Sequence, residues 1–261
     1  MSLNRQNPGP TIDPPVRDWD GPLYARARIY SSGHRLPPHS HPTAQLLYAA
    51  SGVMTVMSEK GVWVAPPQRA VWVPVHTDHE TMVRAELSLH SLYIRPEAAL
   101  WMPDEPAVVK VTPLLRALIL AAIDLPAHFA PGGREERIQA LILDEMKALA
   151  TAPLHLPEPA DRRLRLMTDA LRAEPSDPRG LSEWAETAGA SERTLARLFV
   201  AETGMTFAEW RRQARLLAAL SALAEGVPVT QVAFDVGYES PSAFVAMFRR
   251  SLGQTPARYF D

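Results

Sequence analysis

Three histidines and one glutamine have the types and spacing that could do chemistry. His39 and His41 are two residues apart, Gln45 follows, and His79 comes after Pro74 and His76. In an extended strand alternate side chains point the same way. His39, His41 and Gln45 are therefore expected on one face of one strand, with His79 arriving from a neighbour. Three imidazoles and an amide oxygen suit a divalent transition metal such as Zn, Ni, Fe or Cu. The same groups suit the wall of a pocket for an organic ligand, or an exposed cluster near the mouth of the fold. Spacing leaves these three readings open, and no cofactor is certain. The chain has no cysteine, which removes thiolate ligands, disulfides and a cysteine nucleophile.

These groups must be held by short strands. Between Leu23 and Ile94 the chain breaks into segments of β-formers separated by turn residues: Gln45–Ala50, Val53–Met57, Gly61–Ala65, Ala70–Val73, Glu80–Ala85 and Leu87–Ile94. Many short, closely spaced strands predict an antiparallel barrel or sandwich. Residues 1–20, rich in proline and aspartate, read as a flexible arm, and 21–105 as the strand-rich unit.

After Pro106 the pattern becomes helical. Leu114, Leu115, Leu118 and Ala122 recur at helical spacing within 112–125, as do Ile138, Leu141 and Ile142 within 134–149. Residues 106–150 are thus expected to form a helical hairpin, either covering the strands or joining two copies into a homodimer. The proline-rich stretch 151–160 reads as a linker. From 161 to 261 the chain is expected to be all helical, with Asp161 capping the first helix.

That last segment contains an internal repeat. Ala185 and Gly189 correspond to Ala233 and Gly237; Phe199, Gly204, Thr206 and Trp210 correspond to Phe248, Gly253, Thr255 and Tyr259. Each copy reads as helix, tight turn, helix. The glycine permits the turn, and the small alanine lets the two helices cross closely. Thr206 caps a connecting helix that reaches about Glu225. Two helix-turn-helix units held by a rigid connector could enter successive major grooves, roughly 34 Å apart.

The last hundred residues resemble the DNA-binding domain of the AraC/XylS family of bacterial regulators. The resemblance rests on Val232-Ala233-Phe234-Asp235-Val236-Gly237-Tyr238-Glu239-Ser240 and on the tail from Phe248-Arg249-Arg250 through Gly253-Gln254-Thr255-Pro256 to Phe260. It implies base reading by Arg193, Ala196 and Arg197 in the first unit and by Pro241, Ser242, Val245 and Ala246 in the second. Ser240 and Arg250 would contact phosphates. Only the first unit offers arginines able to pair bidentately with guanine. The histidine region resembles the two cupin motifs, with Gln45 where glutamate is usual and His76 where glycine is usual.

Net charge is −2, and from residue 163 onward acidic and basic residues are equal in number. DNA binding would therefore need locally clustered cations. No apolar run approaches the ~20 residues that span a bilayer, and no secretory signal pattern opens the chain. The expected protein is a cytoplasmic α+β regulator and not an enzyme. A cupin-like barrel senses a small-molecule effector, a helical hairpin dimerises it, and two helix-turn-helix units bind double-stranded DNA. The rival is a cupin-type metal-dependent enzyme with an accessory helical domain; a repair methyltransferase is excluded by the lack of cysteine.

Overall fold

The computed structural model describes residues 18–152 and 154–260. It divides into two compact units, one of residues up to 59 and 63–155, the other of residues 60–62 and 156–261.

The strands form two antiparallel sheets. The strands are β1 Leu23–Tyr30, β2 Arg35–His39, β3 Ala44–Ser51, β4 Met54–Ser58, β5 Gly61–Ala65, β6 Arg69–Val73, β7 His79–Val83, β8 Leu87–Ile94, β9 Ala107–Lys110 and β10 His155–Pro157. One sheet runs β1-β8-β3-β6-β9, the other β10-β5-β4-β7-β2. The expected barrel is not closed: among the described residues each sheet keeps its own edges. Pro37 and Pro38 give one physical reason. They lack the N–H of a ladder donor, and the β2–β7 register shifts between Leu36 and His39.

Strand alternation decides what each face of the first sheet holds. Leu23 and Ala25 of β1, Leu46 and Tyr48 of β3, and Leu92 and Ile94 of β8 belong to one apolar cluster. That cluster continues into Leu115, Leu118 and Ile119 of α1 (Pro113–Ile123) and Ile138, Ile142 and Met146 of α2 (Arg134–Lys147). Burying a side chain of this kind contributes about 1.5–3 kcal/mol. The residues between them, Arg26, Arg28, Gln45, Leu47, Ser91 and Tyr93, line a cavity on the other face.

Two readings of the sequence change here. Residues 1–17 of the expected arm lie outside the described residues, but Trp19 is buried and Asp20 accepts the Phe129 amide at 2.8 Å. The stretch read as a linker is laid onto strands. Ala152 N donates to Val108 O and Val64 N to Leu154 O, while Leu154 and Leu156 are buried.

The second unit contains α3 Arg162–Ala173, α4 Leu181–Ala188, α5 Glu192–Thr203, α6 Phe207–Ala224, α7 Val229–Asp235, α8 Pro241–Leu252 and α9 Pro256–Phe260. α4 and α5 meet at Gly189, whose φ of 62° is left-handed, and Ser191 caps α5 through the Thr194 amide. α7 and α8 repeat the arrangement, with Ser240 capping α8 through the Ala243 amide. Ala185 and Ala233 are buried at matching places, as are Phe199 and Phe248. α6 joins the two pairs and opens with a reciprocal Thr206–Glu209 cap.

Candidate functional site

The cavity of the first unit has a volume of about 80 Å3. β2 and β7 bring His39 and His79 directly opposite each other. His41 lies beyond the end of β2, and Gln45 lies on β3 in the other sheet. Shared parity on one strand is therefore not what assembles them. The chain crosses between sheets after His39, and that crossing brings His39, His41, Gln45 and His79 to one cavity.

Each ligand atom of His39, His41 and His79 lies within 4.8 Å of the others. His39 Nδ1 is 2.7 Å from Pro37 O, and His79 Nδ1 is 2.9 Å from Thr77 O. A carbonyl only accepts, so in both rings Nδ1 carries the proton and Nε2 presents a lone pair. His79 Nε2 and Gln45 Oε1 are buried without a hydrogen-bond partner among the described residues. Burial, aided by repulsion from His39 and His41, holds His79 down to about 3. Burial also lowers His39, partly offset by the Pro37 carbonyl and Asp78. The His39 and His79 imidazoles are thus neutral donors at ordinary pH, as metal ligation requires.

His76 adopts φ 54° and donates its amide to His41 O at 2.8 Å. A left-handed residue is needed in this turn, which accounts for the glycine expected there.

Several cavity residues were not singled out from sequence: Arg26, Arg28, Tyr30, Thr81 and Ser91. The alternation Leu23, Ala25 against Tyr24, Arg26, Arg28 was the available signal. Tyr93 lines the cavity, whereas Tyr48 and Trp72 belong to the helix-covered core. The four remaining histidines have neighbours: His34 beside Tyr30, His90 beside Ser88, His128 beside Asp20, and His155 stacked on Trp63.

In the second unit, Leu195 and Phe199 bury one side of α5 while Arg193, Ala196 and Arg197 are exposed. On α8, Phe244, Met247 and Phe248 face inward; Ser242, Ala246 and Arg250 are exposed, while Pro241 and Val245 are half-buried. Ser240 is half-buried and its hydroxyl is occupied as the α8 cap.

Charge pairing explains how a neutral unit keeps cations on these helices. Arg163 pairs with Asp161, Arg172 with Glu158 and Asp169, and Arg179 with Asp177. Among the described residues Arg193, Arg197 and Arg250 enter no ion pair. Arg215 is held internally, donating to Pro175 O at 2.9 Å and Gly237 O at 3.1 Å.

Compared with known proteins, residues 23–184 match the family of AraC-like ligand binding domains, and residues 184–261 match a helix-turn-helix domain family. The chain is 38% identical over 223 residues to HTH-type transcriptional regulator NimR of Escherichia coli strain K12, spanning 85% of this chain and 81% of that protein. HTH-type transcriptional regulator RipA of Corynebacterium glutamicum is 40% identical over 103 residues, 40% of this chain and 31% of that protein. Among solved structures, ToxT from Vibrio cholerae aligns over 92% of this chain and 98% of its own, with 8% identity and a TM-score of 0.39. No helix among the described residues is long and apolar enough to cross a membrane.

Proposed function

The chain belongs to the AraC-like family of transcription regulators, and from that premise we propose how its parts act. It is a DNA-binding regulator with a ligand-binding part and a helix-turn-helix part. The enzyme alternative loses its ground, because the relatives are transcription regulators.

In this reading α4–α5 and α7–α8 are two helix-turn-helix units, and α5 and α8 enter the major groove of double-stranded DNA. Arg193 and Arg197 read bases, Ala196, Pro241, Ser242, Val245 and Ala246 make close apolar or small polar contacts, and Ser240 and Arg250 position the phosphates. Residues 161–261 are the DNA-binding domain. Residues 21–105 are a cupin-like effector sensor, 106–150 the dimerising hairpin and 151–160 the connection. The protein works in the cytoplasm as a homodimer. The observation that carries the DNA reading is the unpaired state of the α5 arginines on an otherwise neutral unit.

The sensor cavity also fits a divalent transition metal. The fit rests on two Nδ1–H groups tied to carbonyls, which aims the Nε2 lone pairs at a common point, and on the partnerless Gln45 Oε1. His39, His41, Gln45 and His79 would hold it. The ion would supply a Lewis-acidic anchor for an effector; Zn, Ni, Fe and Cu all suit this donor set.

The test is footprinting of the DNA upstream of the protein's own gene and its neighbours, repeated over a salt series. A discrete protected site whose affinity falls steeply with salt is expected. Retention on DNA with no preferred site would overturn specific regulation.

A further inference from the structure

The cavity carries cations that the DNA reading and the metal reading leave unused. Arg26 and Arg28 stand two residues apart on β1, on the side of the strand that faces the cavity. Opposite them on β8 are Ser91 and Leu89. Arg28 Nη1 donates to the Tyr30 hydroxyl at 3.4 Å, a long and weak contact. Neither guanidinium enters an ion pair among the described residues. Among the described residues no carboxylate belongs to the cavity wall.

This one-sided charge has a chemical consequence. Two guanidinium groups at a partly enclosed mouth attract an anion strongly, because part of the surrounding water is replaced by protein. At the inner end, the partnerless His79 Nε2 and Gln45 Oε1 are acceptors needing a donor or a cation. A resident divalent ion would meet that need and add positive charge, since none of the four protein donors carries a negative charge. With or without the ion, the wall asks for a ligand that is anionic at the mouth. The volume of about 80 Å3 limits its size. That suits a small acid rather than a bulky one.

We propose that the effector is a compact carboxylate, its charged end clamped by Arg26 and Arg28 and its other end meeting the His39–His41–His79 floor. The proposal rests on the reading of this cavity as the effector site. An arginine fork matches a carboxylate in two parallel hydrogen bonds, and Tyr30 and Ser91 add hydroxyls to the same rim. An uncharged apolar molecule would leave both the cations and the buried acceptors unanswered.

The experiment uses the full chain in carboxylate-free buffer. Acetate, glycolate, lactate and oxalate are titrated by calorimetry, each beside its uncharged amide. At least one acid is expected to bind saturably, with its amide at least tenfold weaker. Arg28→Gln and Arg26→Gln should each weaken the acid at least tenfold, while Arg28→Lys retains part of the affinity. Unchanged circular dichroism and unliganded DNA binding would show that the variants fold. Failure of every acid to bind at millimolar concentration overturns the proposal. Equal binding of acid and amide, both lost in the cavity-filling Leu47→Trp variant, overturns the charge argument while leaving the cavity a ligand site. Binding of the acid that persists unchanged in Leu47→Trp overturns both.

Discussion

His39 and His79 face each other across the β2–β7 ladder with ring centroids 4.4 Å apart, and each turns Nδ1 to the carbonyl two residues before it. The two rings are therefore fixed in the same tautomer by their own stretches of chain. Neither depends on a distant partner for orientation, so the pair is ready for a ligand before one arrives.

That readiness sets the first prediction. Protein purified without an affinity tag and dialysed against Zn or Ni is expected to retain about one ion per chain by elemental analysis. His79→Ala should lose stoichiometric retention, and so should His39→Ala. Changing Gln45 to Glu adds a negative donor and is expected to tighten binding. Failure of the wild-type chain to retain either ion would remove the metal from the sensor.

Arg197→Ala is expected to cost about 1–3 kcal/mol of specific DNA binding and to relax base preference at one part of the site. Arg193→Ala should act similarly, and Ala246→Ser should change affinity far less. Fluorescence anisotropy on specific and scrambled duplexes separates base reading from general attraction. Equal losses on both duplexes would reassign Arg197 to the phosphates.

Gly237 has φ 79°, and a Cβ there would lie 2.6 Å from Arg215 Nη2 and 2.9 Å from the Ser176 backbone. The side chain can give way, but the backbone cannot do so cheaply. Gly237→Ala is thus expected to destabilise the second unit by about 1–3 kcal/mol. Gly189 also has a left-handed φ but has open space around it, so Gly189→Ala should cost less. Urea unfolding of the two variants in parallel gives the ranking, and a larger loss at Gly189 would contradict it.

Asp161 caps α3 through the Arg163 amide, and its hydrogen bond to the Arg163 guanidinium chiefly holds the carboxyl down to about 2. The unfolded value is about 3.9. The folded pKa is the lower one, so the contribution is complete above the unfolded pKa and is lost as pH falls through about 2. Asp161→Ala should cost about 1 kcal/mol at neutral pH. That difference should shrink between about pH 4 and pH 2, read from hydrogen exchange in the first turn of α3. A cost that is the same at both ends of this range would show that the charge is irrelevant to the cap.

The outer faces of α1 and α2 leave Leu114, Leu120 and Leu141 exposed. If these helices join two copies, Leu141→Glu should shift the chain from dimer to monomer in sedimentation at micromolar concentration. A wild-type chain that sediments as a monomer would remove the hairpin as an interface.

The helices were legible in the sequence because each carries its own punctuation. Thr112, Asp161, Ser191, Thr206 and Ser240 all stand at N-caps, and Gly189 and Gly204 end α4 and α5 in left-handed conformations. The strand Leu87–Ile94 was also readable as a run of apolar and β-forming residues, although its apolar positions switch faces between Leu89 and Leu92. β1 is not among the strands expected from the sequence, and nothing local marks Arg26 and Arg28; only the sheet gives their side a cavity to face. The histidine cluster was identified by residue type, but its assembly was misread. Local parity cannot reveal that the chain changes sheets between His39 and Gln45. Nor can composition reveal which arginines are spent on neighbours; Arg179 and Arg197 are alike until Asp177 is placed beside one of them.

The contrast between α5, with Arg193 and Arg197 outward, and α8, with Ala246 outward, bears on the target as much as on the protein. On the proposed DNA reading, two unequal heads would give the binding site a direction. Aligned operators should show a sharp, guanine-bearing block at one end and a blurred block at the other. Inverting the site would then turn the whole regulator end for end relative to the promoter, so orientation as well as presence of the site would carry the regulatory message.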